Sequence, residues 1–171
     1  MFPASLSKCH WHFFMFLTLA MGVASAQKPV ETTTPPVAVS TGTLAAEITA
    51  AFPQAGSVKK AGKLLEVYDA KKKLIGYALY SKPASDGIRG YMGETPLFIA
   101  LSTKKTILSV QLLANDDTPT YVKKVLTAGL LDVWNGLNVA DATKKKVDTV
   151  SGATYTSRGI IQSMQAALKT L

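Results

Sequence analysis

The chain of 171 residues contains one cysteine and two histidines, and all three (Cys9, His10 and His12) fall near its start. That region reads as an export signal. Lys8 gives a positive start, Phe13 to Ala24 a short apolar run, and Ala24-Ser25-Ala26 a small-residue cleavage site before Gln27. The apolar run is too short to span a bilayer comfortably. Cys9 precedes it, so Cys9 is not a lipoprotein acylation cysteine, which would follow the run. The mature chain expected from Gln27 onward then has neither cysteine nor histidine. This excludes disulfides, thiolate catalysis, imidazole acid–base chemistry and His/Cys metal sites. Any redox activity has to come from a bound cofactor.

Acidic residues are also scarce: 11 Asp and Glu stand against 19 Lys and Arg, for a formal charge of +8. Losing Lys8 with the signal, which holds no acidic residue, lowers this to +7 (8 − 1). The lysines come in small clusters at 59–60, 71–73, 104–105, 123–124 and 144–146, mostly where turns are expected. No aromatic residues are interleaved with them, as a nucleic-acid stripe on one element would require. Solvated turns are the better reading, and nucleic acid is not an expected partner. Such a surface can still steer an acidic partner or an anionic membrane face.

Residues 27–42, rich in Pro, Thr and Val without periodicity, read as an extended linker. Residues 43–171 then suffice for one domain with a single core. A short helix is expected over 42–51, stopped by Pro53. Leu64 to Tyr68 and Leu74 to Tyr80 read as a hairpin across an Asp69–Lys73 turn. Further strands are expected near 95–102 and 106–114. Thr118-Pro119 marks a helix start, the threonine hydroxyl as cap and proline at the first helical position. Apolar residues continue at helical spacing to Trp134, with Gly129 dividing the stretch in two. A last amphipathic helix is expected over about 156–169. Strands in the middle with helices around them give an α+β class, a small mostly antiparallel sheet flanked by helices.

The chemistry concentrates at Asp148-Thr149-Val150-Ser151-Gly152-Ala153-Thr154-Tyr155-Thr156-Ser157, just before that helix. A helix N-terminus offers unpaired N–H groups and a partial positive charge, which suits phosphate. Gly152 and Ala153 keep side-chain bulk away from the Thr154 hydroxyl. Ser151, Thr156 and Ser157 are competing hydroxyls, and Arg158 lies one turn into the helix, within reach of a phosphate. The plainer alternative is a helix-start loop with Thr154 or Thr156 as N-cap. A threonine hydroxyl needs a base or metal to become nucleophilic. No histidine or cysteine lies near, so a separate transferase is expected to supply them.

This string resembles the flavinylation motif D-x-x-[ST]-G-A-T of the FMN-binding domain family, found in subunits of sodium-pumping and Rnf-type electron-transport complexes. The resemblance runs over about 45–171. Gly90-Tyr91-Met92-Gly93 is similar to the family's G-Y-x-G segment, and Asp117-Thr118-Pro119-Thr120 to its E-T-P-G, with Asp for Glu and Thr for the last Gly. The resemblance implies FMN joined by a phosphodiester to Thr154, with Asp148 belonging to the recognition motif. It also implies maturation by an FAD:protein FMN transferase that uses FAD and Mg²⁺. Ser151, Gly152, Ala153, Tyr91, Met92, Gly93, Thr118, Thr156 and Arg158 complete the expected cofactor surroundings, with Tyr91 or Met92 against the flavin ring. No catalytic residue and no resident metal are expected.

The function expected is an exported flavoprotein, periplasmic or otherwise extracytoplasmic, free or peripheral to the membrane, relaying electrons between extracytoplasmic or membrane partners. A reductase of a small substrate, using Tyr91 or Arg89 as proton donor, is the alternative from the enzyme class. A flavin-free binding module is the third reading.

Overall fold

The computed structural model describes residues 44–171. The expected export signal (1–26) and linker (27–42) lie outside the described residues. Five strands, β1 (Ala55–Ala61), β2 (Leu64–Asp69), β3 (Leu74–Tyr80), β4 (Leu97–Leu101) and β5 (Ile107–Leu112), form one antiparallel meander in sequence order. Helix α1 (Ala46–Ala51) precedes them. Helices α2 (Pro119–Thr127), α3 (Val139–Lys144) and α4 (Thr154–Leu168) follow, with a 3-10 helix at Leu130–Trp134. The class is α+β, as the sequence implies.

The sheet is buried on both faces around β4, whose five residues are all apolar and all buried. Alternation sends Leu97, Ile99 and Leu101 to the face covered by Val125, Leu130, Trp134, Ile160 and Met164. Phe98 and Ala100 point to the other face, where Ile48 and Phe52 of the N-terminal segment close a smaller core with Val67 and Ala78. The β2–β3 turn forms where the sequence places it. One carboxylate oxygen of Asp69 accepts the N–H groups of Lys71 and Lys73, both at 2.8 Å, an aspartate turn.

Gly129 divides the helical stretch as expected: it takes a left-handed φ of 69° between α2 and the 3-10 helix. Three elements differ from the sequence reading. Strand β1 carries no apolar alternation, because it is a mostly exposed edge whose partners are backbone groups of β2. Its Lys59 and Lys60 are edge-strand residues rather than turn residues, and they blunt that edge against further pairing. Helix α3 is short and begins at Asn138, whose side chain accepts the Asp141 N–H at 2.9 Å. Helix α4 starts at Thr154, two residues before the expected start, which brings the motif threonine into the first helical turn.

Candidate functional site

The 90–93 turn, the start of α2 and the start of α4 meet at one carboxylate. Asp117, only 4% exposed, accepts the Tyr91 N–H at 3.2 Å, the Met92 N–H at 2.7 Å, the Thr118 N–H at 2.8 Å and the Thr156 hydroxyl at 2.7 Å. Burial by itself would raise this carboxyl's pKa. The hydrogen bonds from Met92, Thr156, Thr118 and Tyr91 outweigh it and hold the pKa below the ordinary aspartate value. Gly90 permits this convergence: a Cβ there would meet the Asp117 carboxylate and come within 3.1 Å of the Thr156 Cα. The turn closes on itself through Gly90 N–H to Gly93 O at 2.8 Å. On its outer side Glu94 pairs with Lys82 at 2.5 Å and accepts the Gly87 N–H at 2.9 Å. The Lys82 ammonium and then the Gly87 N–H hold the Glu94 carboxyl below its usual range.

Above Asp117 lies a cleft of about 240 Å³, with Tyr91 and Tyr121 on one wall and Gly152 to Thr156 on the other. Three tyrosines surround its mouth. Tyr91 meets Tyr121 edge-on, with ring centroids 5.0 Å apart and planes at 74°, and meets Tyr155 at 6.1 Å. Tyr91 and Tyr155 are 52% and 60% exposed, and Met92 beside them is 62% exposed. Water-facing aromatic surface of this kind, held in place by Asp117, suits a flat conjugated ring.

The hydroxyls of the motif divide sharply. Thr156 and Ser157 are 1% and 0% exposed. Thr156 is committed to Asp117. Ser157 Oγ donates to Ala153 O at 2.9 Å and accepts the Val150 N–H at 3.1 Å, fastening the loop to the helix. Ser151 and Thr154 are exposed. Of these two, Thr154 lines the cleft. Ala153 occupies the N-cap position of α4, buried and unable to cap with its side chain. The expectation of Thr154 or Thr156 as N-cap is therefore corrected: the helix starts one residue after an alanine. Its first-turn N–H groups are left without a side-chain cap. Thr118 does stand at the N-cap of α2 before Pro119, but its hydroxyl makes no capping bond. That part of the expectation is also corrected: the Thr118 carbonyl, not its hydroxyl, accepts the Tyr121 N–H at 3.0 Å.

The remaining expected residues sit as follows. Gly152, with φ of 71°, and Ala153 line the cleft beside Thr154. Gly93 is buried at the far end of the aromatic turn, and its N–H reaches Asp117 at 3.5 Å. Asp148 and Ser151 are exposed on the approach to the loop. Arg158 is exposed, its guanidinium carbon 5.8 Å from the centroid of the Tyr155 ring. The sequence reading passed over three side chains at the cleft. Tyr121 stands out in the sequence only as part of the apolar helical spacing. Tyr155 lies inside the motif without being singled out. Lys124, counted only as one of the clustered lysines, lies on α2, with its ammonium over Gly152. The signal available for Tyr121 and Lys124 was their spacing from Pro119 on one helix. Among the described residues no His, Cys, Asp and Glu side chains cluster as a metal site, and no helix is long and apolar enough to cross a membrane.

Comparison with known proteins gives two matches of interest. The crystal structure of Shewanella oneidensis NqrC aligns with 22% identity and a TM-score of 0.44, over 66% of this chain and 63% of that chain. No curated protein matches the chain. The model of the FMN-binding domain matches residues 90–169, a span that starts at the glycine packed against Asp117, takes in the tyrosine cleft and ends with α4. The similarity to the FMN-binding domain family is thus carried by residues 90–169, just under half of the chain.

Proposed function

We propose that this protein is an exported flavoprotein that holds FMN covalently at Thr154 and relays electrons between redox partners outside the cytoplasm. The observation that carries the reading is the division of the motif hydroxyls. Thr154 is exposed in the cleft, whereas Thr156 and Ser157 are buried and hydrogen-bonded. The residues present fit a flavin nucleotide. Uncapped N–H groups at the start of α4 suit its phosphate, and the exposed faces of Tyr91, Tyr155 and Met92 suit its ring. When bound, the flavin supplies the one- and two-electron chemistry that the side chains lack.

Attachment needs a transferase with FAD and Mg²⁺. The Thr154 oxygen attacks the FMN-side phosphorus of FAD, an O–P bond forms, the pyrophosphate bond breaks and AMP leaves. The hydroxyl proton passes to a base of the transferase. Asp148, exposed ahead of the loop, is available for that enzyme to read. The protein's own part is to hold the loop rigid through Ser157 and Asp117. A covalent link makes sense outside the cytoplasm, where a dissociated flavin would be lost. The exposed tyrosine rim also leaves a route for electrons to reach another protein. Intact mass of the chain from an export-competent host that makes the transferase tests the proposal. A mature chain from Gln27, heavier by one FMN less one water, is expected. An unmodified mass under those conditions would sink it.

A further inference from the structure

Lys124 projects from α2 toward the loop before α4, and its ammonium occupies the space a side chain at Gly152 would fill. Gly152 makes room in two ways. Its φ of 71° is costly for other residues, and any Cβ there would push the ammonium aside. Among the described residues the ion pairs belong to Lys82, and no carboxylate pairs with Lys124. An exposed lysine normally extends into water. This one is laid over a glycine two residues from Thr154, at the edge of the cleft that Gly152 and Thr154 line. Arg158, the cation expected from the sequence, sits over the Tyr155 ring instead.

We infer that Lys124 is the cationic seat for the phosphoryl group of the flavin nucleotide, and so sets the site's preference for a phosphorylated flavin over the unphosphorylated one. The inference rests on reading the cleft as a flavin site. The chemistry is that of a compact ammonium facing hard phosphate oxygens. It acts beside the first-turn N–H groups of α4, so charge and backbone donors address the same group. The tyrosines contact a ring that FMN and riboflavin share, and therefore cannot tell the two apart.

The test uses the full chain prepared without flavin transferase, titrated separately with FMN and riboflavin at low salt and followed by quenching of flavin fluorescence. The wild-type chain should bind FMN more tightly, with inorganic phosphate competing against FMN and not against riboflavin. Lys124→Gln keeps the stem and removes the charge. It should weaken FMN binding about tenfold and leave riboflavin unchanged, as loss of a charge-assisted contact predicts. A wild-type chain that binds FMN no better than riboflavin, or a Lys124→Gln chain that keeps the full preference, overturns the inference and leaves Lys124 a solvated lysine. These titrations form no covalent bond. Failure of the covalent reading is seen separately, as wild-type chain that stays unlabelled with FAD and transferase.

Discussion

The Thr156 hydroxyl donates to Asp117 Oδ2 across 2.7 Å, joining residues 39 apart in sequence beneath the cleft. The same carboxylate holds the Tyr91 and Met92 N–H groups. One side chain thus fixes both the aromatic wall and the helix that carries Thr154. Removing it by Asp117→Ala strands five donors, the Gly93 N–H at 3.5 Å the weakest of them, and hydrogen bonds to a buried charge are worth about 1.5–3 kcal/mol each in mutational terms. Losses of this kind are not additive, and the turn can relax toward water. A fall in stability of about 3 kcal/mol is therefore expected by urea unfolding. A change below about 1 kcal/mol would show the turn to be held by something else.

The same carboxylate makes stability depend on acid. Its folded pKa is lowered, so the unfolded chain binds the proton more readily than the folded one. The stabilisation is complete above the unfolded aspartate value of about 3.9 and is lost as pH falls through the lower folded value. Urea midpoints measured from pH 6 down to pH 2 should therefore drop most steeply below about pH 4. Asp117→Asn, less stable at neutral pH, should show a shallower acid limb. Parallel limbs for the two proteins would remove Asp117 from the account.

Gly90→Ala sets a methyl group against the Asp117 carboxylate and the Thr156 Cα, both held from several sides. A cost of about 1–3 kcal/mol is expected from overpacking. The damage should be local as well as global. Amide exchange at Tyr91 and Met92 should speed up more than exchange in β4. Uniform acceleration across the domain would contradict a clash confined to this turn.

Much of the fold and of this site is legible in the sequence, and the reasons lie in particular residues. Leu64 to Tyr80 gave its hairpin away because the polar stretch Asp69 to Lys73 separates two apolar runs, and local chemistry decides such turns. Pro119 and Gly129 set the bounds of α2 through their own backbone preferences. The Ser151–Thr154 string marked the loop. The pairing of β1 did not show, since an edge strand of Ala, Gly, Ser and Lys buries little and leaves no pattern. Nor did the role of Asp117, whose partners at 91, 92 and 156 come from two distant segments. The same holds for Lys124, which becomes notable only when Gly152 is brought beneath it by the packing of α2 against α4.

The tyrosine rim carries its own prediction. Tyr155 is 60% exposed, so Tyr155→Leu should change stability by no more than about 0.5 kcal/mol. Covalent labelling should be retained, because Thr154 and the loop are untouched. The visible circular dichroism of the attached flavin should weaken, since an aromatic wall that orients the ring is lost. An unchanged spectrum would place the ring elsewhere than against Tyr91 and Tyr155.

The most direct test is to co-produce the chain with a flavin transferase and read in-gel flavin fluorescence after denaturation for Thr154→Val and Thr156→Val. Thr154 is exposed, and valine keeps its volume while removing only the hydroxyl, so that chain should fold, be exported and give a dark band. Thr156→Val loses the bond to Asp117 and should be less stable by about 1.5–3 kcal/mol, yet give a fluorescent band. A fluorescent Thr154→Val band, or a dark wild-type band with active transferase present, would contradict the assignment of Thr154 as the flavin acceptor.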